Sequence, residues 1–135
     1  MKKKKKVLRD ARNWNRYQFF GVAAVNVRKE DKIHTATIAN VSLTGLGIYS
    51  AKPIGKGKKV TATISFVDGN GRMRQDSASG TVDWQKKFLN LYLIGILFDE
   101  ELNIASQPRL IEHLSWLIDT YNWPQPYKDK RIAIL

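Results

Sequence analysis

The sequence of 135 residues contains no cysteine, which excludes disulfides and thiolate metal ligation and says little about compartment. It holds no apolar run approaching the roughly 20 residues that span a bilayer. The lysines of MKKKKKVLRD lead into a charged segment and not an apolar one, so no signal peptide is expected and the cytoplasm is the default location. Histidine is scarce. His34 and His113 are joined by no carboxylate cluster at ligand spacing, so no metal site is expected, and both read as surface or internally satisfied side chains. No Ser/His/Asp order suggests a nucleophile. GKGKK (55–59) has the wrong spacing for a phosphate-cradling loop and precedes a strand, and DGNG (68–71) has too few carboxylates for a calcium loop. The chain therefore offers no catalytic residue and calls for no cofactor; an enzyme is not expected. Acidic residues are also few, 12 against 23 Lys and Arg, for a net charge of +11. Lys2 to Lys6 supply five of these charges, and 11 − 5 leaves +6 on the rest. A basic body favours nucleic acid, phosphate-bearing ligands, acidic lipid or an acidic protein.

What is present is strand-like. Residues 1–11 read as a flexible basic arm whose lysines aid solubility and nonspecific attraction. RYQFFGVAAVNVRK (16–29) is aromatic and β-branched. IHTATIANV (33–41) sets Ile33, Thr35 and Thr37 against His34, Ala36 and Ile38, the period of a strand with one buried face. LGIYS (46–50), VTATISFV (60–67), RMRQDSASGTVDWQ (72–85) and LYLIGILFD (91–99) complete six strands. KPIGKGKK (52–59) and KKFLN (86–90) read as loops and DGNG as a hairpin turn, with Gly80 expected to bulge its strand. Trp84 and Trp116 are expected in the core, and Asp83 in water. In SQPRLIEHLSWLIDTY the apolar positions 110, 111, 114, 117, 118 and 121 form a helical stripe. Pro108 suits its first turn, Ser106 or Gln107 its cap, and Pro124 and Pro126 its end. The expected fold is mainly β: a six-stranded antiparallel barrel with a C-terminal helix packed on it. Residues 12–121 form the domain and 122–135 a tail.

Between the second and third strands lies the knuckle of IANVSLTGLGIYS (38–50), with Asn40, Ser42 and Thr44 followed by glycines 45 and 47. A hairpin needs fewer special residues than this. Read locally, these are turn residues bonding their own backbone. Ahead of the first strand, Arg12 and Arg16 flank NWN in an R-x-x-x-R spacing, and the knuckle carries N-x-S-x-x-G (Asn40, Ser42, Gly45). GTVDW (80–84) and GILF (95–98) follow downstream. In this order and at these places, the motifs resemble those of the PilZ domain family, over about residues 9–120. The resemblance implies a six-stranded barrel that binds the bacterial second messenger cyclic di-GMP through Arg12, Arg16, Asn40, Ser42 and Gly45; Thr44 in the knuckle and Trp14 in the arm are further candidates beside them. Asn40 stands where many members carry Asp. Trp14 either stacks on a base or plugs the space under the arm.

The chemistry of that ligand suits these residue types. Guanine presents O6 and N7 as paired acceptors on one edge, and an arginine fork matches them with two hydrogen bonds. Arginine also clamps phosphate oxygens in a bidentate pair. A carboxamide donates and accepts at once, a serine hydroxyl donates to phosphate, and Gly45 would allow a positive φ and close approach to the backbone. The expected function is a receptor whose N-terminal arm reorganises on the ligand and signals to a protein partner in motility, polysaccharide or biofilm control. Two other readings stand beside it: a PilZ module that docks on a pilus or flagellar component without nucleotide, and a small basic barrel that binds nucleic acid through its lysine arm.

Overall fold

The computed structural model describes Phe19 and residues 21–121. The expected basic arm, with Arg12, Trp14 and Arg16, and the expected tail lie outside the described residues. Six strands follow one another along the chain: β1 (Gly21–Val27), β2 (Lys32–Val41), β3 (Gly45–Ser50), β4 (Lys59–Val67), β5 (Met73–Phe88) and β6 (Leu91–Phe98). The helix α1 (Pro108–Tyr121) comes last. All neighbouring strands pair antiparallel, in the order β1-β2-β3-β6-β5-β4, and β4 closes the ring onto β1. The fold is the expected six-stranded barrel with one C-terminal helix.

Alternation builds the interior. On β4, Val60, Ala62, Ile64 and Phe66 are all but inaccessible while their neighbours face outward, and Ala23, Val25 and Val27 do the same on β1. The helical stripe of Leu110, Leu114, Leu117 and Ile118 closes over this core. Its N-terminus is fixed by Asp76 of β5, whose carboxylate accepts hydrogen bonds from Leu110 N (2.7 Å) and Arg109 Nη1 (3.1 Å). Asp76 thus does the capping expected of Ser106 or Gln107, because a helix start needs an acceptor wherever the chain can supply one. The Gln107 side chain is engaged elsewhere, accepting from Asn103 N and donating to Ser77 O.

Three expectations change. The region read as a loop at 86–90 is mostly strand: β5 runs on to Phe88 and turns through Leu89 and Asn90 into β6. Gly80 keeps regular register with both neighbours, and the irregularity falls between Val82 and Trp84. A Cβ on Gly80 would run into the Leu97 carbonyl oxygen, so its glycine serves strand packing and not a bulge. Trp116 is half-exposed, because the apolar stripe of α1 ends at a neighbouring face. It lies across Gly69, where a Cβ would fall 2.5 Å from the indole Cε2.

Trp116 closes an aromatic column at the helix–barrel junction. His113 stacks between it (5.7 Å) and Phe66 (4.7 Å), and Phe19 meets His113 edge-on at 5.6 Å. The buried His113 Nδ1 has no hydrogen-bond partner. Burial holds the His113 pKa below its ordinary value, opposed by the charge of Asp68. The unfolded chain therefore takes up a proton on acidification that folded His113 does not, so stability falls as the pH drops below about 6.5. The lowered carboxylates Glu30, bonded by Lys58, and Asp68, bonded by the Arg72 backbone, lose their contributions at lower pH still. Thermal unfolding between pH 7.5 and 5.5 should show a decline in wild type that flattens in His113→Phe; an equal decline in both would assign it elsewhere.

Candidate functional site

Strict alternation would point Asn40 and Trp84 inward. Ile38 and Val82 are buried, and the residue two further on shares a face with each. An extra residue intervenes in each strand. Ile38 pairs with Ile48 and Asn40 with Gly47, leaving Ala39 unmatched; Val82 pairs with Ile96 and Trp84 with Gly95, leaving Asp83 unmatched. Such bulges rotate the strand beyond them. Asn40 and Trp84 consequently reach the outer face, where Trp84 is 39% exposed. This corrects the expectation of a core Trp84.

The register then makes one row across four strands. Asn40 pairs with Gly47, Gly47 with Gly95, and Gly95 with Trp84. The two glycines form a floor, and the flanking side chains lean over it. A Cβ on Gly47 would sit 2.8 Å from Asn40 Oδ1, and one on Gly95 would overlap the Trp84 indole. Above the row opens a cavity of about 280 Å³, which Asn40, Ser42, Thr44 and Gly45 line together with Asp83 and Trp84. The knuckle residues singled out in the sequence thus converge on one cavity. Trp84 was missed there because a bulge has no periodic signal; the glycine opposite it, Gly95, was the available clue.

The knuckle itself is a closed hydrogen-bonded turn. Ser42 N donates to Gly45 O at 2.9 Å, and Ser42 Oγ accepts from Gly45 N (3.1 Å) and Thr44 N (3.3 Å). Its proton has only long partners, Gly45 O at 3.4 Å or Thr44 Oγ1 at 3.5 Å. Phe98 N and Leu102 N bind Thr44 O and Leu43 O, fastening the turn to the end of β6 and the segment after it. Gly45 does not adopt the positive φ expected of it; the glycines that do are Gly55, Gly57 and Gly71. Its lack of a side chain is required by β6 instead, since a Cβ would stand 2.8 Å from Ile96 O. By contrast, the Asn40 carboxamide makes no hydrogen bond to another described residue and faces the cavity.

Arg12, Arg16 and Trp14 lie outside the described residues, so their relation to this cavity is a matter of chain reach. Phe19 is held against Phe66 at 5.8 Å, and β1 begins at Gly21 beside Ile38, whose Cδ1 would lie 3.2 Å from a Gly21 Cβ. The chain therefore enters the barrel at the end of β2 that carries Asn40.

The contrast between Ser42 and Asn40 is measurable. Ser42→Ala leaves two backbone donors unmatched and should cost about 1–2 kcal/mol in chemical denaturation. Asn40→Ala should stay within about 0.5 kcal/mol of wild type, as a surface substitution without lost partners. Equal losses would mean that Asn40 supports the turn.

Comparison with curated proteins gives no match. The family model of the PilZ domain matches residues 10–116, which span the whole barrel, the knuckle and most of α1. With the closed antiparallel barrel and the C-terminal helix, this match establishes that the chain belongs to the PilZ domain family.

Proposed function

We propose that this protein is a binding module for cyclic di-GMP, the ligand for which its family is known, and that it performs no catalysis. The observation that carries the reading is the Asn40–Gly47–Gly95–Trp84 row under an open cavity. Gly47 and Gly95 let the Asn40 carboxamide and the Trp84 indole lie across the row, so that these two side chains form the surface a planar ring system would meet. Trp84 offers the ring a stacking surface, which is worth about 1–3 kcal/mol per base. Asn40 offers a free carboxamide to a guanine edge or a phosphate oxygen. The Ser42 proton, held by long bonds only, can turn to a phosphate, as can the Thr44 hydroxyl. Gly45 keeps the turn pressed against β6.

Among the described residues the cavity wall carries no cation, and Asp83 in its lining is acidic. A ligand with two phosphates needs positive charge from elsewhere, and the sequence places Arg12 and Arg16 just ahead of β1. Arg16 precedes Gly21 by five residues, so at 3.3–3.6 Å per residue it has a reach of about 17 Å. The start of β1 lies beside Ile38, two residues before Asn40 of the cavity wall. Arginines from the arm would clamp phosphate and guanine, closing the arm over the ligand, with Trp14 against a base or beneath the arm. The ordered arm would be the signal, read by a protein partner in the cytoplasm and directed to motility, polysaccharide or biofilm control.

Calorimetric titration tests the reading. Cyclic di-GMP should bind wild type with micromolar or tighter affinity, and GTP should not. Arg16→Ala should abolish binding, and Asn40→Ala and Trp84→Ala should each weaken it about tenfold or more. Binding that survives all three substitutions would put the site elsewhere. A wild type without heat or competition would overturn the receptor reading in favour of a nucleotide-independent docking module.

A further inference from the structure

The β5–β6 hairpin ends in a tip that the ligand reading leaves without a role. Phe88 pairs with Leu91 across a turn of two residues, Leu89 and Asn90. Phe88 is 56% exposed, Leu89 78% and Leu91 41%. Leu89 has φ +56°, a left-handed conformation that glycine or asparagine adopts at lower cost. The turn thus holds a large apolar side chain in an unfavourable conformation at the most exposed point of the hairpin, where folding gains nothing from it.

The surroundings of the tip are cationic. Lys86 and Lys87 directly precede Phe88, and Lys52 lies two residues beyond Ser50, which pairs with Tyr92 near the start of β6. None of these three lysines is within ion-pair distance of a described carboxylate. The base of the hairpin is rigid, because the Gln85 carboxamide accepts hydrogen bonds from Ile54 N (2.8 Å) and Gly55 N (3.0 Å) of the adjoining loop.

We propose that this hairpin is a docking element for an anionic lipid surface, with Phe88, Leu89 and Leu91 entering the interface and Lys52, Lys86 and Lys87 meeting the headgroups. The shape selects lipid over an acidic protein. A stable protein interface covers roughly 800 Å² on each partner with a complementary patch. A convex tip of three apolar residues is too small for that, but it suits shallow insertion at the headgroup–acyl boundary. The collar of lysines complements anionic headgroups, each lysine contributing about fivefold in affinity. The tip lies on the same outer face as the cavity, since Trp84, Lys86 and Phe88 alternate along β5 opposite Gly95, Leu93 and Leu91. Docking would bring the cavity close to the membrane plane.

The test is cosedimentation of the full chain with phosphatidylcholine vesicles, with and without phosphatidylglycerol, at physiological salt and without nucleotide. Wild type should pellet with the anionic vesicles and remain in solution with the neutral ones. The double variant Phe88→Ser/Leu89→Gly should lose about tenfold or more, and Lys86→Glu/Lys87→Glu about 25-fold or more. Leu89→Gly relieves the positive φ, and unchanged thermal unfolding would verify that the tip variant is folded. Lys2 to Lys6 are present in every variant, so their attraction is common to all. No pelleting of wild type with anionic vesicles, or equal pelleting of the tip variant, would overturn the proposal, the first pointing to a protein occupant and the second to the lysine arm. Because nucleotide is absent, neither outcome bears on cyclic di-GMP binding.

Discussion

A barrel strand commits every second side chain to the interior, and two unmatched residues break that commitment here. Ala39 in β2 and Asp83 in β5 each shift the register by one, and Asn40 and Trp84 turn from the core to the outer face. Without the first shift a carboxamide would enter an apolar interior at a cost of about 1–3 kcal/mol for its unmatched polar atoms. Without the second, an indole would crowd a core already filled by Ile96, Val82 and Phe98. The same two departures that relieve the core furnish the outer face with a hydrogen-bonding group and an aromatic plate. Gly47 and Gly95 follow from this arrangement, because any side chain between Asn40 and Trp84 would collide with one of them.

The site also depends on a firm edge. The turn from Ser42 to Gly45 satisfies its own backbone through the serine hydroxyl, and the end of β6 binds its carbonyl oxygens. Rigid donors and a free carboxamide at its side favour a preorganised wall, which limits the entropy lost on binding. Phe19 packs on Phe66 and His113, and His113 belongs to α1. The segment leading from the arm is therefore in contact with the helix as well as with the barrel.

Much of this was legible in the sequence. Alternation in 33–41 and 60–67, the turn at DGNG and the helical stripe from 110 to 118 reflect burial that repeats with the period of the backbone, and the barrel follows from them. The knuckle was legible because small polar residues and glycines cluster there without need of a long turn. The bulges were not, since one inserted residue leaves composition unchanged and shows only in the partner strand. Hence Trp84 read as core, and Gly80 seemed the irregular residue while Asp83 was. The cap of α1 was hidden for a similar reason: Asp76 is distant along the chain and reaches Leu110 only after the barrel has formed. The role of Gly45 was read from turn chemistry, whereas it is set by the approach of Ile96 from β6.

The central claim is that the row from Asn40 to Trp84 is the floor on which the ligand lies. Amide and indole resonances followed by NMR during addition of cyclic di-GMP address it directly. The largest shifts are expected at the Gly47 and Gly95 amides, the Asn40 side-chain amide and the Trp84 indole N–H. Shifts concentrated instead around Asp68, Arg74 and Trp116, with the glycine row unmoved, would contradict it.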